Sequence, residues 1–178
     1  MRTYFIFFYS LLLLSCNDEV FIENKKTEKV PLSVAENFNM VYTDSTVVRS
    51  YISGKTHFDF SNDVLNYSEL FNDVELIIYD KNKTSTIKSD YAIVYNIYKF
   101  MEFKGNVVIE TTDGELLVTE QLFYDTENEW LFTENSFEYS DSSNKILANR
   151  LDSNRDFTDL VTGKLKGSIN IINQWNII

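Results

Sequence analysis

Cys16 and His57 are the only cysteine and the only histidine in this 178-residue chain, and 27 aspartates and glutamates stand beside them. These residue types do most of the nucleophilic, metal-binding and acid–base work in proteins, so their scarcity and spacing limit the chemistry at once. One histidine with no cysteine to spare forms neither a Cys-His nucleophile pair nor half of a usual zinc site. No two carboxylates are marked out by local spacing for glycoside hydrolysis. Five glycines do not make a phosphate-cradling loop. The expectation is a protein that is not an enzyme, with no catalytic residues, no metal and no cofactor. His57, in "GKTHFDF", is expected as a surface strand residue.

Cys16 has a different chemistry in view. Arg2 and the 11 apolar-rich residues Tyr4–Leu14 precede it, too few to span a bilayer, which takes roughly 20. They read as an export signal. Leu13-Leu14-Ser15-Cys16 then resembles the bacterial lipobox, at which a signal peptidase cuts before a cysteine whose sulfur carries diacylglycerol. Residues 1–15 are therefore expected to be a signal peptide and Cys16 the lipidated first residue of the mature chain. Residues 16–30 are charged, lack periodicity and precede the single proline, Pro31, as a tether would. Its acidic residues are also compatible with a sorting signal.

Loss of residues 1–15 removes one positive charge, Arg2, and moves the formal net charge from −11 to −12. A chain so acidic is repelled by phosphate, which excludes nucleic acid as a partner and leaves membrane attachment to the lipid.

From Pro31 onward the pattern is β. Short alternating runs such as "VELIIYD" (74–80), "NVVIETTDGELLVT" (106–119) and "NSFEYSD" (135–141) are separated by polar turn clusters. Residues 31–45 are ambiguous, because Val34, Phe38 and Val41 have helical spacing but an extended lead-in fits equally. The runs repeat: Asn72–Glu75, Gly105–Val108 and Asn135–Glu138 are separated by 33 and 30 residues, and Ala92, Leu122 and Leu151 hold equivalent places in the second half of each unit. A period near 30 made of two strands and two turns predicts an all-β domain over 31–178, either a β-solenoid or a twisted open β-jelly roll.

The stretch "KGNVVIETTDGELLVTEQLFYD" (104–125) resembles the hallmark of the LptC family of lipopolysaccharide-transport proteins, in the OstA-like jelly-roll superfamily. The resemblance is carried by Gly105-Asn106-Val107, Asp113-Gly114, Leu117–Thr119 and Leu122–Asp125, and it extends more weakly from about Pro31 to Gly167. Two departures stand out. Well-known members carry an N-terminal transmembrane helix where this chain has a lipobox, and a glycine-containing step expected near Ala148–Leu151 is missing.

The resemblance implies a periplasmic jelly roll at the inner membrane that receives lipopolysaccharide from an LptBFG-type ABC transporter and passes it to an LptA-like bridge protein. Such work calls for an apolar groove. By alternation, Val74, Leu76, Ile78, Val107, Ile109, Leu116, Val118, Leu122 and Tyr124 are its candidates. Leu117 and Phe123 are apolar on the opposite parity, which fits either two apolar faces or a bulge between Thr119 and Leu122. Ile169, Ile171 and Trp175, in the uncharged C-terminal "SINIINQWNII", are candidates for a partner edge, with a paired strand of the same domain as the alternative. A competing reading of the whole chain is a lipid-anchored glycan-binding or scaffold module with a filled core.

Overall fold

A computed structural model describes residues 29–80 and 83–165. Nine antiparallel strands follow one another as a meander: β1 Ser33–Asp44, β2 Val47–Phe60, β3 Tyr67–Tyr79, β4 Thr84–Tyr95, β5 Phe100–Thr111, β6 Leu116–Asp125, β7 Trp130–Ser140, β8 Lys145–Asn154 and β9 Leu160–Thr162. Each pairs only with its neighbours in sequence, giving a single unclosed sheet with β1 and β9 at its edges. The fold is the expected all-β open jelly roll. The ambiguous residues 31–45 resolve as strand, because β1 pairs with β2 from Ser33↔Asp59 to Asp44↔Val47 and a helix would forfeit that ladder.

The sheet bends along a line of bulges near mid-strand. One extra residue sits on β3 between Phe71 and Val74, on β5 between Lys104 and Val107, and on β7 between Thr133 and Ser136. These are the three sites at which the sequence repeats. Asn72 and Asp73, and then Gly105 and Asn106, take left-handed backbone conformations there, suiting the residue types that tolerate positive φ. On β8 the left-handed residue is Arg150, at φ 60°, within the step where a glycine is missing. Bulges leave ladder groups unpaired, and buried hydroxyls meet several of them. Ser89 Oγ donates to the Tyr91 carbonyl at 3.0 Å, Thr119 Oγ1 to the Ser136 carbonyl at 3.1 Å, and the Asn135 N–H to Thr133 Oγ1 at 3.1 Å.

On either side of the bend lies a row of buried residues that crosses the sheet. Val74, Ser89, Val107, Thr119, Phe137 and Ala148 form one, and Leu70, Ala92, Phe103, Leu122, Thr133 and Leu151 form the other. Both halves of the folded sheet contribute to one hydrophobic core. The residues matched by the 30-residue period are thus matched in burial.

Gly105 is the most constrained point of the bend. Its φ is +76°, and an added Cβ would lie 2.7 Å from Asp90 Oδ2, which accepts a hydrogen bond from Asn106 Nδ2 at 2.7 Å. Gly105→Ala is expected to cost about 1–2 kcal/mol from the left-handed backbone alone, plus whatever moving Asp90 adds. Gly114→Ala is the control, since Gly114 is also left-handed at +88° but has nothing within 4 Å of the added carbon. A lower denaturation midpoint for Gly105→Ala than for Gly114→Ala is the expected result; equal midpoints would remove the role given to Asp90.

Candidate functional site

The two halves of the bent sheet are closed at one part of the rim and open at another. Closure comes from two cations. Arg155, its side chain only 7% exposed, places Nη2 2.8 Å from Asp80 Oδ2 and Nη1 3.0 Å from Glu129 Oε1. Lys83 Nζ lies 2.9 Å from Glu115 Oε2 and donates to the Asp156 carbonyl at 3.2 Å. Residues of the β3–β4 turn are thereby tied to residues that follow β8, some 75 positions away. The acidic partners keep contact with water, so the desolvation cost falls mainly on the guanidinium.

Beside this clasp a cleft of about 390 Å³ opens between the halves. Leu76, Ile78 and Tyr79 of β3 line one side, with Tyr42, Asp44, Arg49 and Ser50 of the β1–β2 hairpin. Met101, Tyr124, Thr126, Glu129 and Arg155 line the other. Leu76, Ile78, Met101 and Tyr124 reach it from the core and are themselves almost fully buried, while the rest of the lining, Asp80 included, is mostly polar or charged, with Arg49 3.5 Å from Asp44. Burial raises the Tyr124 phenol above its ordinary pKa, and the positive charge of Arg155 partly opposes the shift. Burial and the nearby Asp141 push Tyr139 up to about 12. The phenols therefore enter the interior as neutral groups.

The groove candidates read from alternation fall into three sets. Leu76, Ile78 and Tyr124 line the cleft. Val74, Val107, Ile109 and Leu122 face inward but are sealed in the core. Leu116 and Val118 do not face inward: Leu117 and Thr119 are the buried residues of that half of β6, and Val118 is 38% exposed on the outer surface. This corrects their assignment. The extra residues at this bend lie on β5 and β7 and none lies on β6; the inward side therefore changes along the regular β6 strand, so 117 and 119 point inward on one side of the bend and 122 and 124 on the other. Leu117 is thus inward, and Phe123 stacks with Phe100 and Phe132 on the outer face, so no bulge on β6 itself accounts for the apolar residues of both parities.

Cys16 and the edge candidates Ile169, Ile171 and Trp175 lie outside the described residues. His57 is half-buried on the inner parity of β2, with its ring 5.4 Å from that of Phe38, rather than a plain surface residue. Burial lowers its pKa. Sequence reading missed Tyr42, Arg49, Met101 and Arg155. No local signal marks Arg155, because its carboxylate partners come from distant turns. Among the described residues, no three His, Cys, Asp or Glu side chains could hold a metal ion, and no helix is long and apolar enough to cross a membrane.

A bent, unclosed antiparallel sheet with an apolar interior that opens at a charged rim defines an open jelly roll of the kind that can shelter a hydrophobic chain while leaving a polar head in water. The chain belongs to the LptC-related lipopolysaccharide-assembly family, whose model matches residues 3–160. That family is a transport family rather than an enzyme family, and its members work in the periplasm at the inner membrane with an ABC transporter and LptA. No curated protein matches the chain.

Proposed function

We propose that the protein is a lipid-anchored periplasmic component of the lipopolysaccharide export bridge. On this reading residues 1–15 are removed, Cys16 carries the lipid, residues 16–30 are the tether and the domain begins at Pro31. The domain takes lipopolysaccharide from an LptBFG-type transporter and hands it to an LptA-like protein. The observation that carries the reading is the cleft in the bent sheet of a member of this family: Leu76, Ile78, Met101 and Tyr124 reach it from the core, and Arg49, partly exposed beside Asp44, stands at its mouth, where an anionic head group would meet it. Among the described residues β1 and β9 are the edge strands, and strand addition at such edges is the physical means by which similar jelly rolls would extend one another. Ile169, Ile171 and Trp175 follow β9 and are proposed to serve the downstream edge.

Between β4 and β8 the interior is filled by Val107, Ile109, Leu117 and Leu122. This favours, as a second reading, a scaffold with a closed core. Photo-crosslinking in cells separates the two. A crosslinkable residue at Ile78 or Tyr124 is expected to capture lipopolysaccharide, and one at the outward Val118 is not. Capture at none of the three positions, or equally at all of them, would reject the carrier reading and leave the scaffold.

A further inference from the structure

Hydrophobic residues at turn tips need an explanation, because tips are the part of a β domain most easily made polar. Among the described residues, the β2–β3 turn carries Val64, 94% exposed, with Leu65 beside it, and the β4–β5 turn carries Ile97 and Tyr98, 63% and 61% exposed. The two turns are neighbours. The Asn96 N–H donates to the Asn66 carbonyl at 3.2 Å, and Asn96 Nδ2 donates to Asn66 Oδ1 at 3.1 Å. The next turn on the same rim, Thr126–Glu129, is polar, as are Ser45-Thr46, Thr112–Gly114 and Asp141–Asn144 on the opposite rim. Among the described residues, Val64 and Ile97 are the most exposed apolar side chains at turn positions themselves, although Tyr42, Val47 and Val48 are also exposed beside the Ser45-Thr46 turn on the opposite rim.

The N-terminal segment enters at the corner of the domain that the β2–β3 and β4–β5 turns form. Lys29 Nζ lies 3.0 Å from Asp63 Oδ2, donates to the Tyr67 hydroxyl at 3.3 Å and stands 5.0 Å from the centre of the Tyr67 ring. Asp63 is the residue before Val64. Twelve residues separate Cys16 from Lys29, a reach of about 45 Å at full extension and thus about one strand length. An acyl group on Cys16 would hold this corner closer to the bilayer than any other part of the domain need be.

Two of the carboxylates near the corner are neutralised by lysines. Asp63 is paired with Lys29, and Glu127 with Lys99 at 2.9 Å. Behind the tips, the outer parity of the sheet carries a run of touching rings, Phe60–Tyr67–Tyr95–Phe100 and on to Phe123 and Phe132, with centroids 4.9 to 6.3 Å apart.

We infer that Val64, Leu65, Ile97 and Tyr98 insert into the interface of the bilayer that anchors the chain, so that the domain docks on the membrane by its β2–β3 and β4–β5 turns. The inference rests on the lipid-anchored reading of Cys16. Docking fixes the orientation of the domain, where a tether alone would fix only its distance.

The test uses the full lipidated protein in vesicles of phosphatidylethanolamine and phosphatidylglycerol containing spin-labelled lipid. An acylated Cys16 offers no thiol, so Val64→Cys, Tyr98→Cys and, on the opposite rim, Ser142→Cys each take a single nitrobenzoxadiazole label. Loss of fluorescence is expected at 64 and 98 and not at 142. Protein that floats with the vesicles but is unquenched at 64 and 98, or equally quenched at all three positions, overturns the docking and leaves the anchor intact; an unquenched corner would then be assigned to a protein partner. Protein that fails to float overturns the anchor and the docking together.

Discussion

Phe103→Ala should lower the free energy of unfolding by about 3–5 kcal/mol, the usual cost of deleting a buried phenylalanine ring, from a domain total of about 5–15 kcal/mol. Phe103 is fully buried in the inner row of β5. It pairs with Ala92 on one side and Leu122 on the other, so a large ring stands beside a methyl group. Alanine at 103 would put two methyl groups side by side and leave a cavity that the neighbouring strands, fixed by their ladders, cannot fill. Val118→Ala is the matched control, because Val118 is outward and partly exposed, and it should cost less than about 1 kcal/mol. Urea denaturation followed by intrinsic fluorescence reads both. Similar midpoints for the two variants would contradict the inward and outward parities assigned to β5 and β6.

Cys16→Ser should move the protein out of the membrane fraction. Thioether-linked acyl chains contribute about 0.8 kcal/mol per buried CH₂, and more than one chain is needed for stable attachment. A serine cannot carry them, and apolar turn tips without an anchor should give only weak, reversible association. Intact mass checks the cause: the parent protein is expected to begin at Cys16 and carry acyl mass, and the variant to be uncleaved or unacylated. A variant that stays with the membrane to the same extent as its parent would sink the lipoprotein reading, whatever its fold.

The β class and the repeat were legible in the residues alone, whereas Gly105-Asn106, read there as a turn former, is a bulge inside β5 at which the sheet bends. Bulges draw on local chemistry: Asn, Asp and Gly tolerate left-handed φ, so the 33-residue step from Asn72 to Gly105 was legible before any pairing was known, although Asn62-Asp63 shows that such a pair need not adopt it. Alternation within each half-strand is local too, which is why Val74, Val107 and Phe137, and likewise Ala92, Leu122 and Leu151, could be matched from the chain alone. The family could be read from residues 104–125 for the same reason, since its hallmark is made of those turns and steps.

Parity across a bend, as at Leu116 and Val118, came from the tertiary structure alone: a bulged strand such as β5 keeps its inward parity through the bend and the unbulged β6 changes it, and the sequence does not say which strand carries the extra residue. Pairing also decided the state of residues 33–44, whose helical spacing of apolar residues yields to the ladder offered by β2. The cleft itself was out of reach of sequence. It exists because the bent sheet brings the β1–β2 hairpin and β3 opposite Met101, Tyr124 and Glu129, and because Arg155 meets Asp80 across 75 residues of chain; contacts between turns so far apart are set by the twist and closure of the whole sheet, to which no short stretch of residues holds the key.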